Sequence, residues 1–294
     1  MSGPVASSVQ LVGILDGLVN LARSLTHLLI ADLGVDDAQA NLSFILRLKS
    51  LKYLDVSNCR EKFPMNSYKN PSLFLAKLVY HLTSLKSLDI SGTNLGGSVI
   101  FKEAEEIDYI KKRLYEDLID DPSQFQDVKL DQIETIKSGV SGLMFLNNEK
   151  KMLDFFGCFS CDNSVSSRAN LPALSIAGEE NEQNLYTSLE TYMVDKPLFL
   201  LDGLNHLFEL YRDELVEDKL MGGHLIMNTM EKHLDNSRIQ ISGSASLFYV
   251  LKYWKEEHVQ LPHFYLKRLI KTIINGMEEH IEESAVIFFK RFQF

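Results

Sequence analysis

"LKYLDVSNC" (Leu51–Cys59) and "LKSLDISGT" (Leu85–Thr93) are nearly the same nine-residue phrase, written twice in a chain of 294 residues. Leu51 aligns with Leu85, Lys52 with Lys86, Leu54 with Leu88, Asp55 with Asp89 and Ser57 with Ser91, at an offset of 85 − 51 = 34. Val56 and Ile90 form a conservative pair. A weaker version, "LTHLLIADL" (Leu25–Leu33), lies 51 − 25 = 26 residues upstream. Within the phrase Leu54 and Val56 alternate with Asp55. That period of two belongs to a strand, with the apolar pair inward and Asp55 outward.

Working outward, all three phrases fit the leucine-rich-repeat template L-x-x-L-x-L-x-x-N/C-x-L. Leu51, Leu54, Val56 and Cys59 fill it once; Leu85, Leu88, Ile90 and Thr93 fill it again, with Leu95 after them. At the Asn/Cys/Thr position a small polar group can bond the backbone as the chain leaves the strand. The return legs read as helices. "DDAQANLSFILRLKS" gathers Leu42, Ile45, Leu46 and Leu48 on one side, and "NPSLFLAKLVYHLTS" gathers Leu75, Leu78, Val79 and Leu82. One repeat cannot bury both its apolar faces, so repeats stack. "GVSGLMFLN" (139–147) and "KMLDFFGCF" (151–159) are strand-length apolar runs for a fourth unit. Ahead of them, Lys102–Lys137 holds eleven Asp or Glu against six Lys or Arg, so 6 − 11 = −5. That composition predicts a helical insertion or extended return leg with a solvated charged face; docking of a basic partner is the other reading.

From about Ala177 the strand signals stop, and five amphipathic stretches follow. Leu185, Leu189 and Tyr192 share a face in the first. Pro197 can open the second, which carries Leu200, Leu201, Leu204, Leu207, Phe208 and Tyr211. A Gly222–Gly223 break precedes Leu225, Ile226, Met230 and Leu234. The small residues Ser242–Ser246 then lead to Leu247, Phe248 and Leu251, and allow close helix approach. Leu266, Leu269, Ile270, Ile273, Ile274 and Met277 close the series. This rhythm suits an armadillo-like array. The predicted fold class is therefore an α/β leucine-rich-repeat segment followed by an all-α armadillo-like solenoid. The predicted domains are 1–170, with an acidic insertion around 98–138, and 177–294.

Composition excludes several functions. A net charge of −10 and a pI near 5.3 disfavour sequence-independent nucleic-acid binding and anionic membrane surfaces. Three cysteines are too few for a disulfide framework, and a reducing intracellular setting fits them. No basic start or long uncharged apolar run marks a signal peptide or membrane span. Cys158–Cys161 is a lone C-x-x-C with no second pair, so both are expected to be packing residues. The eight histidines show no ligand spacing, and no phosphate-cradling or nucleophile-elbow motif is present. Trp254 is expected to be a buried anchor, with an exposed binding hot spot as the second reading. No catalytic, cofactor-binding or metal residue is nominated, no cofactor is expected, and substrate-binding residues are unassigned. An interaction protein, not an enzyme, is the expectation.

"LDFFGCFS" (Leu153–Ser160), "AGEENEQNLYTSLETYMVDKP" (Ala177–Pro197), "QISGSASLFYVL" (Gln240–Leu251) and "IINGMEEHIEES" (Ile273–Ser284) resemble the Zyg-eleven family, its Zer-one branch most closely. The opening phrases resemble that family's leucine-rich repeats. The likeness runs from Leu25 to Ser284 and is weakest over 98–140. It implies a substrate-recognition subunit of a Cullin-2 RING ubiquitin ligase, cytoplasmic or nuclear. It further implies that a C-terminal armadillo-like array recognises proteins with an N-terminal glycine. The family's cullin- and elongin-binding box has no matching segment before Leu25, and its glycine pocket lies in later repeats. No pocket residue is carried over, and a chain cut short at both ends is the expectation. The aromatic tail "VIFFKRFQF" (Val286–Phe294) departs from the family pattern, and an open solenoid end needs a cap. The alternative is a repeat scaffold without a ubiquitin role.

Overall fold

The computed structural model describes residues 24–31, 43–59, 68, 70–97, 103–120, 135–146, 152–161, 165–256 and 261–281. The chain divides into two compact units, Met1–Ile176 and Ala177–Phe294.

The first unit is built on the repeated phrase. Each copy forms a short strand: β1 (His27–Leu29), β2 (Tyr53–Asp55) and β3 (Ser87–Asp89), joined by β4 (Leu153–Gly157) and β5 (Ala173–Ala177) in one sheet of order β1-β2-β3-β4-β5. The first three pairings are parallel. Their register places Leu28, Leu54, Leu88 and Phe156 side by side, and these four are 8%, 2%, 0% and 0% exposed. Burying each such side chain contributes about 1.5–3 kcal/mol. Leu51, Val56, Ile90 and Cys158 extend the same inward set. Beyond the strands the ladder continues, with Val56 N donating to Asp89 O at 2.9 Å and Ile90 N to Gly157 O at 2.8 Å.

Asp55 and Asp89 bond the backbone that follows them. Asp55 Oδ1 accepts from Ser57 N at 2.9 Å, and Asp89 Oδ1 from Ser91 N at 3.0 Å. The repeated Asp-x-Ser therefore makes the turn out of each strand. Asp89 is buried, whereas Asp55, expected to point outward, is half-buried. Thr93 acts as the template requires: its hydroxyl donates to Ile90 O at 2.5 Å and accepts from Leu95 N at 3.3 Å.

The return legs differ among repeats. Where one helix was expected over the segment ending in "SFILRLKS", Ser43–Arg47 is a 3-10 turn, and residues 32–42 lie outside the described set. α1 (Pro71–His81) begins on its proline, whose missing N–H costs nothing at a helix start. α2 (Glu103–Asp120) lies in the acidic stretch and buries Ile110 and Leu114 in the core. Residues 121–134 of that stretch lie outside the described set. The described part of "GVSGLMFLN", residues 139–146, forms no strand. Ser141–Phe145 forms a 3-10 turn against α1, where a Cβ on Gly142 would come within 2.8 Å of Leu75. That contact distance favours a compact turn seated on the helix.

The second unit holds α3 (Glu182–Tyr192), α4 (Pro197–Arg212), α5 (Lys219–Lys232), α6 (Ser237–Glu256) and α7 (His263–Glu279). Asn181 caps α3 by accepting from Asn184 N, and Asp218 caps α5 by accepting from Met221 N, each at 2.9 Å. The inner faces meet through Leu185, Leu204, Leu225, Ile226, Leu247, Val250 and Leu269. Trp254 is 5% exposed and meets Tyr265 edge-on at 5.2 Å. Gly222 and Gly223 do not break a helix; they lie inside α5. A Cβ on Gly222 would stand 2.4 Å from the Tyr211 hydroxyl, and one on Gly223 would stand 2.2 Å from that of Tyr265. Bare backbone is needed there so that tyrosines can reach the first turn. Tyr186, Tyr211 and Tyr265 donate to the carbonyls of Asp218, Lys219 and Leu220 at 2.8, 3.1 and 3.3 Å. Gly243, in the small-residue run, approaches Met230 in the same way.

Candidate protein-interaction surface

A strand with one apolar neighbour row must turn its alternate residues the other way. In β1 to β4 these outward positions are His27, Tyr53, Ser87 and Phe155, aligned by register. His27 and Tyr53 stack at 4.2 Å between ring centroids with planes 11° apart, and both are exposed. Leu29 follows on β1 at 68% exposure, and Leu174 projects from β5 at 73%. Met152, at the start of β4, is 47% exposed. Where β3 and β4 begin, Lys86 pairs with Asp154 at 3.7 Å, and Lys52, one residue before β2, is exposed. Such a pair in solvent contributes little to stability and is free to exchange for another partner. The stacked His27 and Tyr53 rings with the exposed Leu29 on the same strand, and charges at the strand starts, make a surface suited to protein contact.

The second unit carries a cleft of about 520 Å³ lined by Glu180, Glu182, Tyr186, Glu217, Asp218 and Met221 among others. Glu182 is committed within it. Its carboxylate accepts from Glu217 N at 2.7 Å and Asp218 N at 2.8 Å, and lies 2.6 Å from the Tyr186 hydroxyl, whose single hydrogen it shares with Asp218 O. Burial and this carboxylate push the Tyr186 hydroxyl pKa up, so the phenol stays a donor. Elsewhere in the unit, Arg268 on α7 grips Glu231 on α5 through two nitrogens at 2.6 and 3.0 Å. This bond holds the Glu231 carboxyl below its ordinary range. Both clusters hold helices together.

Cys158 and Cys161 are buried, with Cys161 Sγ donating to Ile90 O at 3.3 Å, and Cys59 is half-buried. Among the described residues no three His, Cys, Asp or Glu side chains gather as a metal site. No described helix is long and apolar enough to cross a membrane. His258 lies outside the described residues. Sequence reasoning nominated no residue of the sheet face. The register of the repeats could have named Tyr53 and His27, because they precede the inward leucine by one in each phrase. Leu174 had no such signal.

A family model described as "Zer-1-like, Leucine-rich repeats" matches residues 6–114, and one described as "Protein zer-1 homolog-like, C-terminal domain" matches residues 228–288. The Drosophila melanogaster protein "Protein zer-1 homolog" is 30% identical over 247 residues, covering 84% of this chain and 29% of its own length. "Zyg eleven-related protein 1" of Caenorhabditis elegans is 29% identical over 270 residues, 91% of this chain and 26% of its own. The Homo sapiens "Protein zer-1 homolog" is 27% identical over 267 residues, 89% of this chain and 30% of its own. The chain thus spans under a third of the length of these relatives. No solved structure matches.

Proposed function

We propose that this chain, which belongs to the Zer-1-like family by the matches in both its halves, is a non-catalytic recognition segment that holds protein partners. The observation that carries the reading is the stacked and exposed pair His27 and Tyr53, with the exposed Leu29 on the same strand, on a sheet whose other face is core. The helical unit is read as an armadillo-like array, supported by each helix from α4 to α7 packing on its sequence neighbour. By the family resemblance, the partners are substrates of a Cullin-2 RING ubiquitin ligase, among them proteins with an N-terminal glycine, and the setting is intracellular. The chain itself transfers nothing; it positions a substrate beside enzymes brought by other subunits.

The test is affinity purification of the product of the longest transcript that contains this sequence. Recovery of Cullin-2 and elongins, with preference for N-terminal glycine on a peptide array, supports the ligase role. Recovery of protein partners without either subunit leaves a repeat scaffold, the second reading, which the exposed sheet face supports equally.

A further inference from the structure

At the C-terminal end of α4 the chain turns back on itself. Glu214 adopts the left-handed conformation at φ 60°, with Glu214 N donating to Tyr211 O at 3.3 Å and Leu215 N to Leu210 O at 2.9 Å. This pair of bonds is a Schellman turn, in which an apolar residue after the left-handed one commonly packs back on the helix. Leu215 instead remains 64% exposed. With half-buried Leu210 and with Met221, 37% exposed, it forms the apolar part of the cleft of about 520 Å³ beside α3 and α5. Backbone bonds hold the loop, so the groove is formed before anything enters it.

The rest of the lining sets the sign of what can enter. Glu180, Glu190 and Glu217 line the cleft with exposed carboxylates, and none of the three pairs with a cation among the described residues. The cations nearest Glu217 in sequence are committed elsewhere. Arg212 bonds Asp213 at 2.9 and 3.2 Å. Lys219 donates to Val216 O at 2.7 Å, with its ammonium 3.9 Å from the centre of the Tyr253 ring. A cleft walled by one sign of charge focuses the field and gathers the opposite charge.

We infer that this cleft docks a basic segment of a protein partner, with a lysine or arginine among the three carboxylates and an aliphatic side chain against Leu215. The charge calls for a cation, and the held, exposed leucine calls for an apolar group beside it. An inorganic cation answers only the first. The site belongs to the second unit alone and does not depend on the sheet face of the first.

The test uses the 294-residue chain and fluorescent octapeptides that carry two arginines and one leucine at varied spacing. Their N-termini are acetylated, so binding reports side chains and not a terminal ammonium. Some spacings are expected to bind, and added salt to weaken them. Citrulline in place of arginine keeps the shape, loses the charge and should abolish binding. Glu190→Gln with Glu217→Gln should weaken the best peptide roughly three- to tenfold, and Leu215→Ser by about threefold or more. Glu278→Gln with Glu279→Gln removes the same charge at the C-terminal end of α7 and should leave binding unchanged. No binding by the native chain, equal binding of the citrulline peptides, or equal weakening by the two glutamate pairs would overturn the proposal.

Discussion

At Gly222 the second unit depends on the absence of a side chain. A methyl there would lie 2.4 Å from the Tyr211 hydroxyl and 2.6 Å from that of Tyr186, both of which bond the first turn of α5. Gly222→Ala is expected to lower stability by up to about 2 kcal/mol, with about 1–3 kcal/mol of overpacking offset in part by ~1 kcal/mol of helix propensity. A reduced urea midpoint would show it, and an unchanged or higher midpoint would mean the tyrosines yield freely. His81 makes a second residue-scale case. Burial, with Lys49 and Lys77 nearby, pulls its imidazole down to about 3. The folded chain keeps it neutral while the unfolded chain protonates it near pH 6.5. The unfolded state therefore binds more protons between these values, and stability falls as pH drops from about 6.5. Denaturant midpoints between pH 7.5 and 5 should decline, and His81→Gln should flatten the decline.

Among elements, β2 separates stability from recognition within two residues. Leu54 is 2% exposed and Tyr53 is 41% exposed. Leu54→Ala is expected to cost about 2–5 kcal/mol. Tyr53→Asp should cost within about 1 kcal/mol, yet weaken any partner seated on the sheet. Chemical denaturation together with pull-down of bound proteins distinguishes the two; equal stability losses would place Tyr53 in the core. The strands were legible because a period of two and a repeated phrase report the same fact twice: the aligned Leu54 and Leu88 are the registered pair. Alternation describes side-chain direction and is blind to an Asp that turns back onto its own backbone, as Asp55 and Asp89 do. Ser141–Phe145 was misread because short apolar runs do not distinguish strand from turn, and the neighbour that decides it, Leu75, is far away in sequence. Gly222–Gly223 looked like a break for the same reason: the tyrosines that need the space lie outside the local window.

For the molecule as a whole, all three thiols fall in the first unit, with Cys158 and Cys161 buried and Cys59 half-buried. Brief iodoacetamide treatment of the native chain is expected to modify Cys59 alone, and all three after denaturation, as read by intact mass. Early modification of Cys158 would contradict its burial. The same unit shows where length can vary. Paired residues are 53 − 27 = 26, 87 − 53 = 34 and 155 − 87 = 68 positions apart in successive strands. The sheet keeps one register through all three spacings, so the excursions behind it differ more than twofold without moving Tyr53 relative to Ser87 or Phe155. Insertions and deletions can therefore accumulate over generations on the helical side while the contact row stays in place. A lineage built this way can remodel its back freely and change its choice of partner only through substitutions on the front.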